Sequence, residues 1–456
     1  MTRLLTITPL PYYSDPGTYF YRLRQRPDAI LLDSGQPQSP SGRYDIISSD
    51  PLATLTIDQT GQIHCPAISG LSNDPLKAQQ ELLTHLDIEA PATELPFTGG
   101  VIGYWSYDFA RLLEQLPDRA ANDIGLPLAR LGLYDWALIQ DHERHESWLI
   151  ADSARRREIE RWLAGPAPRE KPFRLASPFV DELPRKDYGE QFARVMAHLN
   201  HGDCYQINLA RRFSTRYSGD LWQAYQRLRA ATPMPYAGFW QWHNEQTGTH
   251  QALLSVSPER FLEARAGHLH TRPIKGTRPR GTTIEEDEAL ARSLKESPKD
   301  LAENVMIVDL LRNDLGRVCR PGSVNVPSLA SLESYANVHH LVSVIEGELA
   351  PGFHSLDALM AAFPGGSITG APKHQAMTLI DELEPVRRSA WCGSLGYVDI
   401  RGRLDSSIMI RTVVADRDHL YLWGGGGLVA DSREQEEFEE IDAKVGRLMH
   451  ALSASD

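Results

Sequence analysis

Residues 186–214 read KDYGEQFARVMAHLNHGDCYQINLARRFS, and a change of hydrophobic period inside this stretch decides the fold class. KDYGEQFARVMAHLNHGD repeats its apolar residues at helical spacing, whereas YQINLARRFS alternates as a half-buried strand does. Upstream, GPAPREKPFRLASPFVDELP is rich in proline and charge and reads as a linker over residues 166–183. It follows a charged helical stretch at 153–164. Further back, AILLDSG, RYDIISSDP, FTGGVIGYWSYDF and HESWLIAD are short apolar runs broken by Pro, Gly and Asp, which predicts strands and turns. Downstream, periodicity predicts helices at 283–296, 298–315, 355–362, 371–384 and 432–452. Strands are predicted near 252–263, 341–349, 393–400, 405–414 and 419–423. Strands mixed irregularly with helices favour an α+β fold with large antiparallel sheets over a regular βαβ array.

A chain of 456 residues exceeds what one small core serves, so two lobes or a large two-layer body are expected. With 41% hydrophobic and 23% charged residues, the composition is that of a globular protein. Cys65, Cys204, Cys319 and Cys392 show no CxxC or Cys/His spacing, which argues against structural zinc or a disulfide framework and fits a reducing cytoplasm. No apolar run reaches the roughly 18 residues of a membrane span, and no secretory leader is visible. The formal charge of −13, without a basic stripe, argues against nucleic acid. An anionic substrate therefore needs local cations or a metal.

The best local concentration of cations is TRPIKGTRPRG, residues 271–281, where Lys275 lies among Arg272, Arg278 and Arg280. A lysine becomes nucleophilic when its pKa falls from about 10.4, and burial with neighbouring cations pushes it that way. The alternative is a solvated turn that binds an anion. In LAENVMIVDLLRNDLGRV, Glu303 and Asp309 sit in a stretch apolar on almost every side, which predicts a buried helix. Glu303 shares a face with Ile307, Leu310 and Leu311. It is either one half of a buried Glu–Arg pair or a metal ligand. The C-terminal helix carries an apolar stripe, Phe438, Ile441, Val445, Leu448 and Leu452, bordered by Glu437, Glu440 and Lys444. Carboxylates at that border either complete a hard-cation site or form a solvated acidic face.

Glycines 424–427 are placed between a strand and a helix start, where backbone N–H groups can hold a carboxylate. FPGGSITGAPK resembles a phosphate loop but has Ala371 and Pro372 where such a loop needs Lys and Ser/Thr, which argues against nucleotide binding by this loop and leaves an anion or cap role open. Glu259, beside Arg260 in SPERF, is a general-acid candidate or half of an ion pair. Of His339 and His340, one is expected to face the interior.

Taken in order, SPERF, RPIKGTRPRG, AENVMIVDLLRNDLGRV, FPGGSITGAPK, AWCGSLGYVD, SIMIRT, GGGGLVADS and EEFEEIDAK resemble the chorismate-utilising enzymes, most closely their aminodeoxychorismate synthase branch. LLDSG and TPMPYAGF extend the resemblance into the N-terminal half. It implies an α/β sandwich of two subdomains with helices outside: an N-terminal domain 1–165, the linker 166–183, and a chorismate-binding catalytic domain 184–456. The implied reaction is amination of chorismate at C4 to 4-amino-4-deoxychorismate, on the way to 4-aminobenzoate and folate. By motif, Lys275 adds covalently at C2 and Glu259 is the general acid. Glu303, Glu437 and Glu440 hold Mg²⁺. Thr277, Ser367, Arg411, Gly426, Gly427, Lys444 and His340 surround the substrate. Ser34, Pro235 and Tyr236 form a tryptophan pocket. Relatives that make anthranilate or isochorismate usually carry alanine at the Lys275 position, and those that add water carry a lysine base where this chain has Gln206. No glutaminase motif is visible, so ammonia is expected from a separate glutamine amidotransferase subunit, and a separate lyase is expected to finish 4-aminobenzoate. The competing readings are an anthranilate synthase large subunit and a non-catalytic amino-acid-binding paralogue.

Overall fold

The computed structural model describes residues 2–39, 42–245, 247–334 and 338–454. Among these residues two large sheets form, of 13 and 11 strands, and each takes strands from both sides of the linker. The larger sheet runs Gln206–Ser218, His419–Leu428, Thr412–Asp416, Thr249–Ser257, Tyr236–Asn244 and on through Ile30–Asp33 into the N-terminal strands. The smaller carries Ile274–Pro279, Val338–Glu348, Arg260–Arg265, Leu404–Ile408 and Ser394–Asp399 beside Gly100–Trp105 and Ala129–Tyr134. Pairing within both is antiparallel.

The sheets face one another across one continuous apolar core. Tyr104 of the smaller sheet stacks on Trp242 of the larger at 5.6 Å between ring centroids and meets Trp240 edge-on at 6.1 Å. Such pairs add about 0.5–1.5 kcal/mol beyond their buried area. Helices cover the outside, with Glu434–Ser453 on the strand His419–Leu428 and Pro298–Gly316 on Val338–Glu348. No helix of the described residues is long and apolar enough to cross a membrane.

The predicted helices are Ile284–Lys295, Pro298–Gly316, Ser355–Ala362, Lys373–Leu383 and Glu434–Ser453. Local chemistry explains their starts. The Thr283 hydroxyl accepts the Glu286 N–H, and Ser297 accepts the Asp300 N–H with Pro298 at the first helical position.

Three expectations change. The single strand at 252–263 is two, Thr249–Ser257 and Arg260–Arg265, which belong to different sheets; Pro258 has no N–H to continue a ladder. The strand at 405–414 likewise divides into Leu404–Ile408 and Thr412–Asp416, with Arg411 at φ 50° in the crossing. Glu259 and Arg411 thus sit where the chain passes between sheets, and the Ile408 N–H donates to the Glu259 carbonyl at 3.1 Å. Finally, Gly424–Gly427 lie inside a strand, paired with Arg211 back to Asn208, not between strand and helix. They are required for close approach. A Cβ on Gly424 would meet Ile441 and Val445 of the C-terminal helix within 2.8 Å, and one on Gly427 would meet Gln206 Nε2 at 2.0 Å.

Candidate active site

Lys275 lies on the strand Ile274–Pro279, next to a bulge at Gly276. Gly276 adopts φ 81°, and a side chain there would press on Leu294 and Asp300. The bulge resets the register so that Thr277 pairs with His340, and their side chains join through Thr277 Oγ1 and His340 Nδ1 at 2.8 Å. Burial lowers the His340 pKa and holds the ring neutral.

Burial also lowers the Lys275 pKa; Glu303 and Glu259 oppose the shift, and Lys444 reinforces it. The sequence expectation that the three neighbouring arginines do this is corrected. Arg272 pairs with Glu333, Arg278 with Asp300 at 3.1 Å, and Arg280 with Asp287 at 2.7 Å. Their charge is compensated on the spot, and the cation that reaches Lys275 comes from the C-terminal helix.

Ser367 connects the lysine to Glu259. Its carbonyl accepts from Lys275 Nζ at 3.3 Å and its hydroxyl donates to Glu259 Oε1 at 3.0 Å. Glu259 is 8% exposed, and burial raises its pKa against the pull of Lys275 and Ser367. The ion-pair alternative for Glu259 and Arg260 falls away, because Arg260 turns to Asp405 at 2.9 Å and Glu263 at 2.8 Å. A raised carboxyl and a lowered amine on either side of Ser367 have the protonation preferences of an acid and a nucleophile.

The other end of the site is acidic. Burial raises the Glu303 pKa, and neighbouring Asp300 and Glu437 add to it. Burial also raises Glu437, whose Oε1 accepts from the Ser432 hydroxyl at 2.7 Å, and Glu440 adds its repulsion. For Glu440 burial opposes ionisation, but Lys444, bonded to it at 2.7 Å, lowers the pKa overall. Lys444 Nζ also donates to the Gly425 carbonyl at 3.0 Å. No arginine pairs with Glu303 among the described residues, so the buried Glu–Arg alternative is not what forms. The described residues contain no group of three His, Cys, Asp or Glu shaped as a metal cage.

Two details of the flanking helices differ from the sequence reading. The helix Pro298–Gly316 is not buried all round: Val305 is 53% exposed and Asp309 faces solvent, paired with Arg312 at 3.3 Å. In the C-terminal helix, Glu437 is buried more deeply than Phe438, which lies under the guanidinium of Arg211 at 3.6 Å.

Arg411 has no carboxylate partner among the described residues; its Nη1 reaches only Met234 Sδ at 3.9 Å. Burial, and then Arg447, lower its pKa. A half-buried guanidinium without a counterion is a ready carboxylate site. Near it, Ser34 gives its N–H and hydroxyl to Asp45 at 2.8 and 2.7 Å. Asp33 pairs with Ala237 in register, which sets Ser34 beside Pro235 and Tyr236.

The motifs did not single out Asn304, Lys299, Asn208 or Arg388. Asn304 is 1% exposed, donates to the Lys275 carbonyl at 3.1 Å and accepts from the Ser343 hydroxyl at 2.8 Å. Its signal was an amide buried in an apolar helix. Lys299 acts on Glu303, Glu437 and Glu440 together. Arg388 donates to Glu384 and to the carbonyls of Ile368 and Asn208, tying the Ser367 turn to the larger sheet.

With this geometry in place, residues 27–450 match the chorismate binding enzymes. The chain belongs to that family. It is 48% identical over 98% of both chains to aminodeoxychorismate synthase component 1 of Salmonella typhimurium, and 46% identical, also over 98% of both, to that of Klebsiella aerogenes. Among solved structures it superposes on anthranilate synthase component I from Streptococcus pneumoniae with TM-score 0.78 and 29% identity, covering 90% of this chain and 93% of that one. The family's fold, expected from the motifs, is the fold observed.

Proposed function

We propose that this chain aminates chorismate at C4 to give 4-amino-4-deoxychorismate, as the large subunit of an aminodeoxychorismate synthase. The observation that carries this reading is the Lys275–Ser367–Glu259 arrangement, with its lowered amine and raised carboxyl. Near neutral pH a hydroxyl departs readily only if it is protonated as it leaves. Neutral Lys275 adds its Nζ to C2, both ring double bonds shift, and the C4–O bond breaks as Glu259 delivers its proton, releasing water. The proton shed by the new secondary amine returns to Glu259. Ammonia then attacks C4, both double bonds shift back, and the C2–N bond breaks; the proton lost by the incoming nitrogen goes to the departing lysine. Two easier displacements replace one hard one.

Arg411 and the backbone of Gly426 and Gly427 receive substrate carboxylate oxygens, and Thr277, His340 and Ser367 line the ring. Asn304 fixes the backbone of Lys275. Glu303, Glu437 and Glu440, with Lys444 beside them, are the residues that would hold Mg²⁺. When bound, that ion offsets the repulsion between a dianion and an acidic site. Ammonia comes from a glutamine amidotransferase subunit, and Ser34, Pro235 and Tyr236 take tryptophan.

The test is mass spectrometry and product analysis of the purified protein with chorismate, Mg²⁺ and ammonium, beside Lys275→Ala. Aminodeoxychorismate from the wild type, and its loss or replacement by anthranilate in the variant, is the expected result. Anthranilate from the wild type, or no turnover, would overturn the proposal.

A further inference from the structure

A cleft of about 1180 Å³ opens at the far end of the hairpin Tyr236–Asn244/Thr249–Ser257 from Glu259. Its rim at Asn244 lies eight residues, about 27 Å, from the pairing of Tyr236 with Ser257 at the active-site end, and its inner wall reaches Phe239. None of the groups assigned above to chorismate, metal or tryptophan lines it.

Its chemistry is specific. Arg24, on the wall of the cleft, is 7% exposed and uses Nη1 on Asp220 at 2.7 Å. Its Nε and Nη2 have no hydrogen-bond partner among the described residues. Those two nitrogens are the parallel edge of the guanidinium, the edge that grips a carboxylate or phosphate with two bonds. Trp222, 1% exposed and on the same wall, has an unpartnered Nε1. Together these open donors on one wall give an acceptor more than one place to bind. The outer wall adds Arg169, Lys171 and Arg417, none of which forms an ion pair among the described residues. His243 and His250, both exposed at the rim, supply flat ring surfaces. In a chain of net charge −13, a cleft lined by six Arg and Lys against four Asp and Glu attracts anions where the rest of the surface repels them.

We propose that this cleft is a second ligand site, for a small molecule bearing a carboxylate or phosphate on a planar ring. The inference is independent of the chemistry assigned to Lys275. The test is titration calorimetry of the full chain with three probes: benzoate, adenosine 5′-monophosphate and inorganic phosphate. Saturable 1:1 binding of benzoate or the nucleotide, with a Kd below about 1 mM, is expected. Benzoate alone would assign a carboxylate ligand and the nucleotide alone a phosphate one. Arg24→Lys, which keeps the charge facing Asp220 but loses the two-nitrogen edge, should weaken binding at least tenfold. Lys171→Glu, on the exposed wall where folding does not depend on it, should do the same. The proposal is overturned if neither ring-bearing probe saturates, if both variants bind as the wild type does, or if inorganic phosphate binds as tightly as both.

Discussion

Two buried lysine–carboxylate pairs, one joining the helices Pro298–Gly316 and Lys373–Leu383 and the other on either side of Ser367, are built for opposite ends. Lys373 Nζ meets Asp314 directly at 2.6 Å and also donates to the Ala362 carbonyl at 2.8 Å. Lys275 and Glu259 are held apart, each bonded instead to Ser367. In both pairs burial lowers the amine and raises the carboxyl. Desolvation therefore does not distinguish a structural pair from a reactive one. Contact does: a closed ion pair satisfies both charges and ties two helices together, whereas an interrupted pair leaves an amine and an acid each able to act on a third molecule.

The sharpest way to break this contrast is Glu259→Gln. It removes a proton donor without changing shape, so kcat should fall by about 10²–10⁴-fold. Thermal unfolding should be unchanged or shifted upward, because a carboxyl that resists ionisation in its site is replaced by a neutral amide of equal size. A variant that loses stability in proportion to activity would place Glu259 with Asp314, as a structural partner, and the contrast would fail.

Asp314→Ala makes the reverse test. It strands a buried ammonium, and breaking such a pair destabilises by about 3–5 kcal/mol. Urea unfolding reads this directly, while kcat of the folded fraction should stay near that of the wild type. A loss under about 1 kcal/mol would mean Lys373 finds water or another partner as easily as Lys275 does.

The same contrast explains what the sequence reveals and what it hides. Periodicity locates the helices it finds to within about two residues, because one buried face per helix leaves its mark on neighbouring positions, but it passes over Gly17–Leu23, Pro75–Thr84 and Leu221–Ala231. It does not reveal that the chain changes sheets at Pro258–Glu259 or at Met409–Arg411, since the alternation on both sides of each crossing is equally good. Partners distant in sequence are hidden too. Arg272, Arg278 and Arg280 look like the electrostatic setting of Lys275 until Glu333, Asp300 and Asp287 are folded against them. Asp309 looks buried because its neighbours are apolar, yet its side of the helix meets solvent. The motif order carried the site residues together, but Asn304 and Arg388 act through backbone carbonyls, which leave no side-chain signature to match.

The smallest predicted effect is the most discriminating, because Ser367 serves its two neighbours with different atoms. Glu259 receives the hydroxyl, and Lys275 donates to the backbone carbonyl. Ser367→Ala deletes only the first contact. That hydrogen bond favours the ionised carboxylate, so its loss should raise the Glu259 pKa further. Glu259 acts protonated: its contribution is present below its pKa and lost as pH rises through it. Lys275 acts neutral and gains activity as pH rises through its own lowered pKa. The pH profile therefore carries two inflections, one from each group. A hydrogen bond worth about 1 kcal/mol corresponds to a shift of about one pH unit or less. In Ser367→Ala one inflection should move upward by that amount while the other stays. If both move together, or neither moves, the hydroxyl is not what separates the acid from the amine, and the two buried pairs differ in some other way than contact.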